Sequence, residues 1–127
     1  MGLQGGLPHN RPMIILYGIP NCDAVKKARA WLNDRGVAYQ FHDFKKQGVP
    51  AERVDEWLAR CGWERVLNRK GTSWRKLDTN QQAAVCGAAS AKALMLSNPS
   101  VIKRPIVEWD ADVTVGFDPA AWELLTS

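Results

Sequence analysis

The stretch "LYGIPNCDAVKKARAWL" (residues 16–32) sets Cys22 between an apolar run and an amphipathic one, at the start of a predicted helix. A helix start offers free backbone N–H groups and the positive end of the helix dipole, and both favour a thiolate over a thiol. Lys26 shares the helix face and adds positive charge, while Asp23 places a carboxylate next door and limits how far the pKa falls. Two readings follow: Cys22 is a low-pKa nucleophile, or Asn21 or Asp23 caps the helix and the thiol is inert. Val25 occupies the position three residues on, so there is no Cys-x-x-Cys dithiol. A phosphatase-type loop needs arginine six positions after its cysteine. Here that position is Ala28, and Arg29 comes one residue too late.

The chain has two further cysteines. Cys61 falls on an apolar helical face beside Trp57 and Leu58, and Cys86 lies within "AAVCGAA"; both are expected to be buried structural thiols. If neither resolves a mixed disulfide on Cys22, the second thiol comes from solution, and glutathione is the natural co-substrate. A cytoplasmic location is expected from the lack of a membrane-length apolar run and of a signal-peptide core, and in that reducing compartment an odd cysteine count without framework spacing means free thiols. His42 sits in a predicted strand and is read as structural, since a thiolate at a helix terminus needs no separate base. No metal site and no tightly bound cofactor are expected.

Around these residues the pattern predicts an ordered set of elements. Residues 1–12, rich in Gly, Pro and polar residues, read as a flexible tail, and the folded domain is placed at 13–127. "MIILYG" reads as a buried strand, 23–35 as a helix burying Val25, Ala28 and Leu32 with Gly36 ending it, and "VAYQFHDF" (37–44) as a second, parallel strand. Residues 51–61 read as a helix with Val54, Trp57, Leu58 and Cys61 on one face, followed by helical stretches at 79–87 and 89–97. "PIVEW" and "VTVGF" read as strands, and "DPAAWELL" as a helix capped by Asp118 with Pro119 first. Trp31, Trp57 and Trp122 lie at core spacings. The order β-α-β, helical block, β-β-α predicts an α/β fold of thioredoxin-like (glutaredoxin-like) type: a four-stranded mixed sheet, with core at 13–45 and 104–127 and a helical insertion at about 46–103.

The chain of 127 residues is 46% apolar and 24% charged, enough for one domain with a real core. Its net charge of +4 is spread among acids, which favours anionic small molecules or a weakly acidic partner over direct nucleic-acid binding. There is no zinc-finger spacing and no aromatic single-strand motif. No apolar run is long enough to span a membrane, and the N-terminus lacks the apolar core of a signal peptide. A monomer is expected.

With "YGIPNCDAVKKARAWL", "FHDFKKQGV", "LNRKGTSWRKL" and "SNPSVIKRPIV" in order, the chain resembles the arsenate reductase-like (ArsC/Spx) family, and most closely its YffB-type branch, over about residues 13–125. The resemblance implies a thioredoxin-like core, Cys22 as nucleophile, and Arg69 and Arg104 as anion-binding arginines; Asp118 stands where a third would align. Pro105 corresponds to the proline beside the active cysteine, and the residue before it, Arg104, is held extended. Together with Asn21 and Lys26, these residues make up the expected binding site, the two arginines pairing with glutathione carboxylates. The implied activity is a glutathione-dependent thiol–disulfide oxidoreductase. The alternatives are an Spx-like regulator that binds RNA polymerase without catalysis, though without the Cys-x-x-Cys switch, and a true arsenate reductase coupled to glutathione and glutaredoxin.

Overall fold

The computed structural model describes residues 14–126; the tail expected at 1–12 lies outside them. β1 (Ile15–Gly18) leads into α1 (Asp23–Asp34), and the chain returns as β2 (Gln40–Asp43). β1 pairs in parallel with β2 from Ile15↔Gln40 to Gly18↔Asp43. β3 (Ile106–Glu108) pairs antiparallel with β1, and β4 (Val113–Val115) antiparallel with β3. The resulting four-stranded order β2-β1-β3-β4 is the mixed thioredoxin-like sheet that the element order predicts.

Side-chain alternation sorts the core onto the two faces of this sheet. Leu16 and Val107 face one way, packing with Val25, Ala28, Leu32, Trp109 and Trp122 of the cluster that includes α1 and α8 (Pro119–Thr126). Tyr17 and Ile106 face the other, against Val54, Trp57, Val66 and Met95 from the helices between β2 and β3. Those helices are α2 (Phe44–Gln47), α3 (Ala51–Cys61), α4 (Trp63–Val66), α5 (Thr72–Arg75), α6 (Thr79–Ala83) and α7 (Ala88–Ser97). A 3-10 turn at Pro99–Val101 leads back towards the sheet. None of the described helices is long and apolar enough to cross a membrane.

Local chemistry explains where the elements begin and end. α1 buries Val25, Ala28 and Leu32 as predicted, and Gly36 (φ +68°) reverses the chain after it. The second strand is shorter than 37–44. Asp43 accepts a hydrogen bond from the Lys45 backbone N–H at 2.8 Å, which caps α2 and turns Phe44 into a helix. The helix expected over 79–87 stops at Ala83, and Gly87 is extended. Cys86 therefore lies in the link between two helices and is exposed, not buried. Cys61 is half-buried, its thiol 3.5 Å from the Val113 carbonyl. Asp118 does cap α8, through the Ala121 N–H at 3.3 Å.

One polar group is built into the insertion-side core. The Glu108 carboxylate, 9% exposed, accepts from Tyr17 Oη at 3.0 Å, Trp57 Nε1 at 2.8 Å and Arg53 Nε at 2.8 Å. A buried carboxylate is tolerated only when saturated in this way. Burial, reinforced by the Glu108 charge, raises the Tyr17 pKa well above its ordinary value. The stability the neutral phenol contributes therefore holds below that ordinary value and is lost only as pH rises through the raised one. Glu108→Ala leaves two buried donors and a guanidinium unpaired and is expected to cost about 2–4 kcal/mol in urea unfolding. Glu123→Ala, which opens an exposed pair with Arg35, should cost under about 1 kcal/mol; equal costs would show that the Glu108 network does not tie sheet to insertion.

Candidate active site

β1 sits inside the sheet, with its C-terminal end at Gly18. A Cβ on Gly18 would lie 2.6 Å from Val25 Cγ2, so only glycine lets α1 pack this closely on its strand. Ile19, Pro20 and Asn21 make the turn, and Cys22 arrives as the residue capping α1, extended at φ −99° and ψ 128°. Its carbonyl already accepts the first helical bond, from Lys26 N–H at 2.9 Å. The side chain is half-buried against the α1 and α8 cluster.

Burial alone raises the Cys22 pKa, yet the net shift is downward. The Val25 backbone N–H, the Arg104 guanidinium and the Ala24 backbone N–H outweigh the burial. The helix-start reading is thus supported by geometry, but the dominant cation at the sulfur is Arg104 and not Lys26. Lys26 is exposed, and it makes no ion pair or side-chain hydrogen bond among the described residues. Asn21 is exposed at the turn.

Arg104 reaches this position from the segment entering β3. The Arg104–Pro105 peptide is cis, Pro105 is buried, and its carbonyl accepts from Gly116 N–H at 2.8 Å. The Ser100 carbonyl accepts from Arg104 Nη1 at 3.3 Å. Arg104 Nε is buried without a hydrogen-bond partner among the described residues. The same side chain lines a cavity of about 210 Å³ with Ile19, Phe44, Lys45, Pro99 and Ser100. The guanidinium that lowers the Cys22 pKa thus belongs to a side chain that also borders a cavity, where a cation suits an anionic group. Lys45 and Ser100 went unread in the sequence. Nothing in the local pattern of "SNPS" indicates that its last carbonyl holds Arg104.

Arg69 is placed differently from Arg104. Its guanidinium lies 5.5 Å from the Trp63 ring centroid, it lines a separate concavity, and it is not among the strongest influences on the Cys22 sulfur. Asp118, at the position expected for a third arginine, is occupied as the α8 cap. His42 Nε2 donates to the Gly48 carbonyl at 2.8 Å, and the ring packs 4.9 Å from the Tyr17 ring, in keeping with a structural role. No group of three or more His, Cys, Asp or Glu among the described residues is arranged to hold a metal ion.

The ArsC family profile matches residues 17–125. The chain belongs to the ArsC family. Among solved structures, it is similar to a YffB protein at 47% identity and TM-score 0.86, covering 90% of this chain and 99% of that one. An arsenate reductase (ArsC) related protein from Brucella melitensis is 50% identical at TM-score 0.70, over 87% and 92% of the two chains. An uncharacterized protein of Haemophilus influenzae is 33% identical over 87% of this chain and 96% of its own length. The global transcriptional regulator Spx of Streptococcus mutans is 27% identical over 84% and 77%. This ArsC-family chain thus carries the arsenate reductase-like fold.

The alkylation rate of Cys22 as a function of pH should have its midpoint below the ordinary thiol value of about 8.5. Arg104→Ala should move that midpoint upward, and Lys26→Ala should leave it nearly unchanged. An Arg104→Ala profile superimposable on wild type would contradict the assignment of the charge.

Proposed function

We propose that this protein is a glutathione-dependent thiol–disulfide oxidoreductase with Cys22 as its single nucleophile and glutathione as a diffusing co-substrate. The observation that carries the reading is the pairing of a pKa-lowered thiol with the Arg104 guanidinium, whose side chain also lines a cavity. Placement in an arsenate reductase-like family supports redox chemistry at that cysteine. The other thiols are poor resolving partners. Burial raises the Cys61 pKa, its sulfur is directed to the β4 carbonyl of Val113, and Cys86 sits in the α6–α7 link.

The reaction balances with glutathione alone. The Cys22 thiolate attacks the glutathione sulfur of a mixed disulfide, R–S–S–glutathione. The S–S bond breaks, R–S⁻ leaves and takes a proton from solvent, and glutathione remains bonded to Cys22. A second glutathione thiolate then attacks the bound glutathione sulfur, releasing oxidised glutathione and regenerating the Cys22 thiolate. R–S–S–glutathione is reduced by two electrons, and the two glutathione sulfurs end as a disulfide. The helix N–H groups and Arg104 stabilise Cys22 as attacking and as leaving thiolate. Arg104, with Lys45 on the same cavity wall, pairs with the tripeptide's carboxylates.

A regulator related to Spx is a second reading, favoured by the similarity to that protein. In that reading the chain binds RNA polymerase, and Val25 leaves it without a Cys-x-x-Cys switch. Arsenate reduction is less well supported, because Asp118 caps a helix and Arg69 is turned to Trp63.

Turnover of a small glutathione mixed disulfide, coupled to glutathione reductase, is the test. Cys22→Ser should reduce it to background with folding retained. Arg104→Ala should lower kcat/KM about tenfold or more through loss of a charge-assisted hydrogen bond. Wild-type turnover in Cys22→Ser would overturn the proposal.

A further inference from the structure

Three cavity-lining cations have acidic partners: Arg53 with Glu108, Arg60 with Glu56, and Lys92 with Asp55. One group does not. Arg65, Arg69, Lys70 and Lys103 line a single concavity of about 320 Å³ in which Glu64 is the sole acid. None of these four cations has an ion pair among the described residues. Four cations against one acid is most of the chain's net charge of +4, concentrated on one concave surface.

The backbone beneath these charges is fixed. Leu67 and Ile102 form an antiparallel bridge, Asn68 N–H donates to Val101 O at 2.7 Å, and Lys103 N–H to Val66 O at 2.8 Å. Lys103 also packs its stem beside Gly116, with Cε 3.1 Å from where a Cβ would stand. Like charges held together on a rigid surface repel, and an anionic partner relieves that repulsion.

The concavity is linked through the backbone to the Arg104–Pro105 segment. Lys103 immediately precedes Arg104. Val115, on its wall, pairs with Ile106 in β3, and the next residue, Gly116, donates to the Pro105 carbonyl. β4 is the edge strand of the sheet; its Val113 carbonyl is taken by the Cys61 thiol, while Val115 stands on the wall of the concavity.

We infer that this concavity docks an acidic polypeptide segment of a protein substrate, holding it while Cys22 attacks a disulfide on the same chain. The identification as a substrate rests on the thiol oxidoreductase reading, whereas the docking itself does not. Cations spread over a wall that also includes Leu67 and Val115 suit carboxylates spaced along a peptide with apolar side chains between them. A nucleic-acid strand is the poorer match. The lining residues include no aromatic ring, and the neighbouring Trp63 ring has the Arg69 guanidinium over it, which leaves no open stacking platform.

The test uses glutathione mixed disulfides of three synthetic peptides of equal length, one Glu-rich, one Ser-rich and one Lys-rich, each with a single cysteine. Wild type should turn over the Glu-rich peptide about tenfold faster in kcat/KM than the Ser-rich one at low salt, the advantage shrinking as salt rises. Lys70→Glu combined with Lys103→Glu should remove that preference while leaving turnover of a small uncharged disulfide unchanged. Binding is read separately, by fluorescence anisotropy of the labelled, reduced Glu-rich peptide on Cys22→Ser. Charge-dependent binding there with no disulfide turnover in wild type would support the docking site and overturn the catalytic reading. Equal treatment of the three peptides would overturn the docking site, as would displacement of the peptide by a single-stranded oligonucleotide of equal charge at lower concentration.

Discussion

The site depends on the close approach of α1 to the end of β1. Gly18 ends a strand flanked on both sides, and Val25 Cγ2 occupies the space a Cβ would need. Because strand and helix are fixed against each other there, the few residues between them have little freedom, and Cys22 is held at the point where the first free N–H groups of α1 emerge. The same contact joins site to core: Val25 is fully buried with Leu16, Leu32 and Val107. Movement of the cysteine relative to the helix start would disturb the packing on that face of the sheet.

The reactivity of Cys22 is a balance in which three favourable contributions outweigh one unfavourable one. Partial burial raises the pKa, while Val25 N–H, Arg104 and Ala24 N–H lower it. The two N–H groups belong to adjoining residues of α1, so their positions are set by the helix itself. Arg104 comes from far along the chain and is held by the Ser100 carbonyl. Formation of the complete site therefore requires the long helical stretch between β2 and β3 to return its end to the start of α1. The other two thiols are free, Cys61 half-buried and Cys86 exposed in the α6–α7 link.

The parts of the fold legible in the sequence were those with a strong periodic signal. Val25, Ala28 and Leu32 on α1 and Val54, Trp57 and Leu58 on α3 are spaced at helical intervals between charged residues, and all are buried. The β-β-α ending was marked by Asp118–Pro119, whose capping chemistry is local. The exposure of Cys86 was not legible, because its alanine-rich surroundings have no polar face from which to infer orientation, and the capping interactions at Gly87 and Ser90 decide where the helix restarts. α4 and α5 are single turns, too short for any periodicity. The Glu108 network joins residues far apart in sequence, so neither local spacing nor composition reveals it. At the site, the cysteine and its helix were readable from local sequence; the choice of Arg104 over Lys26 as its charge partner was a tertiary matter.

The most direct measurement is intact-mass and peptide-mapping mass spectrometry after brief exposure to oxidised glutathione at neutral pH. It sets reactivity against accessibility within one molecule, since Cys86 is exposed whereas Cys22 is half-buried. If backbone N–H groups and Arg104 stabilise the Cys22 thiolate, the first glutathione adduct will be on Cys22, and Cys22→Ser will react far more slowly. A first adduct on Cys86, with Cys22 left as a thiol, would mean that exposure governs and that Cys22 is not an activated nucleophile.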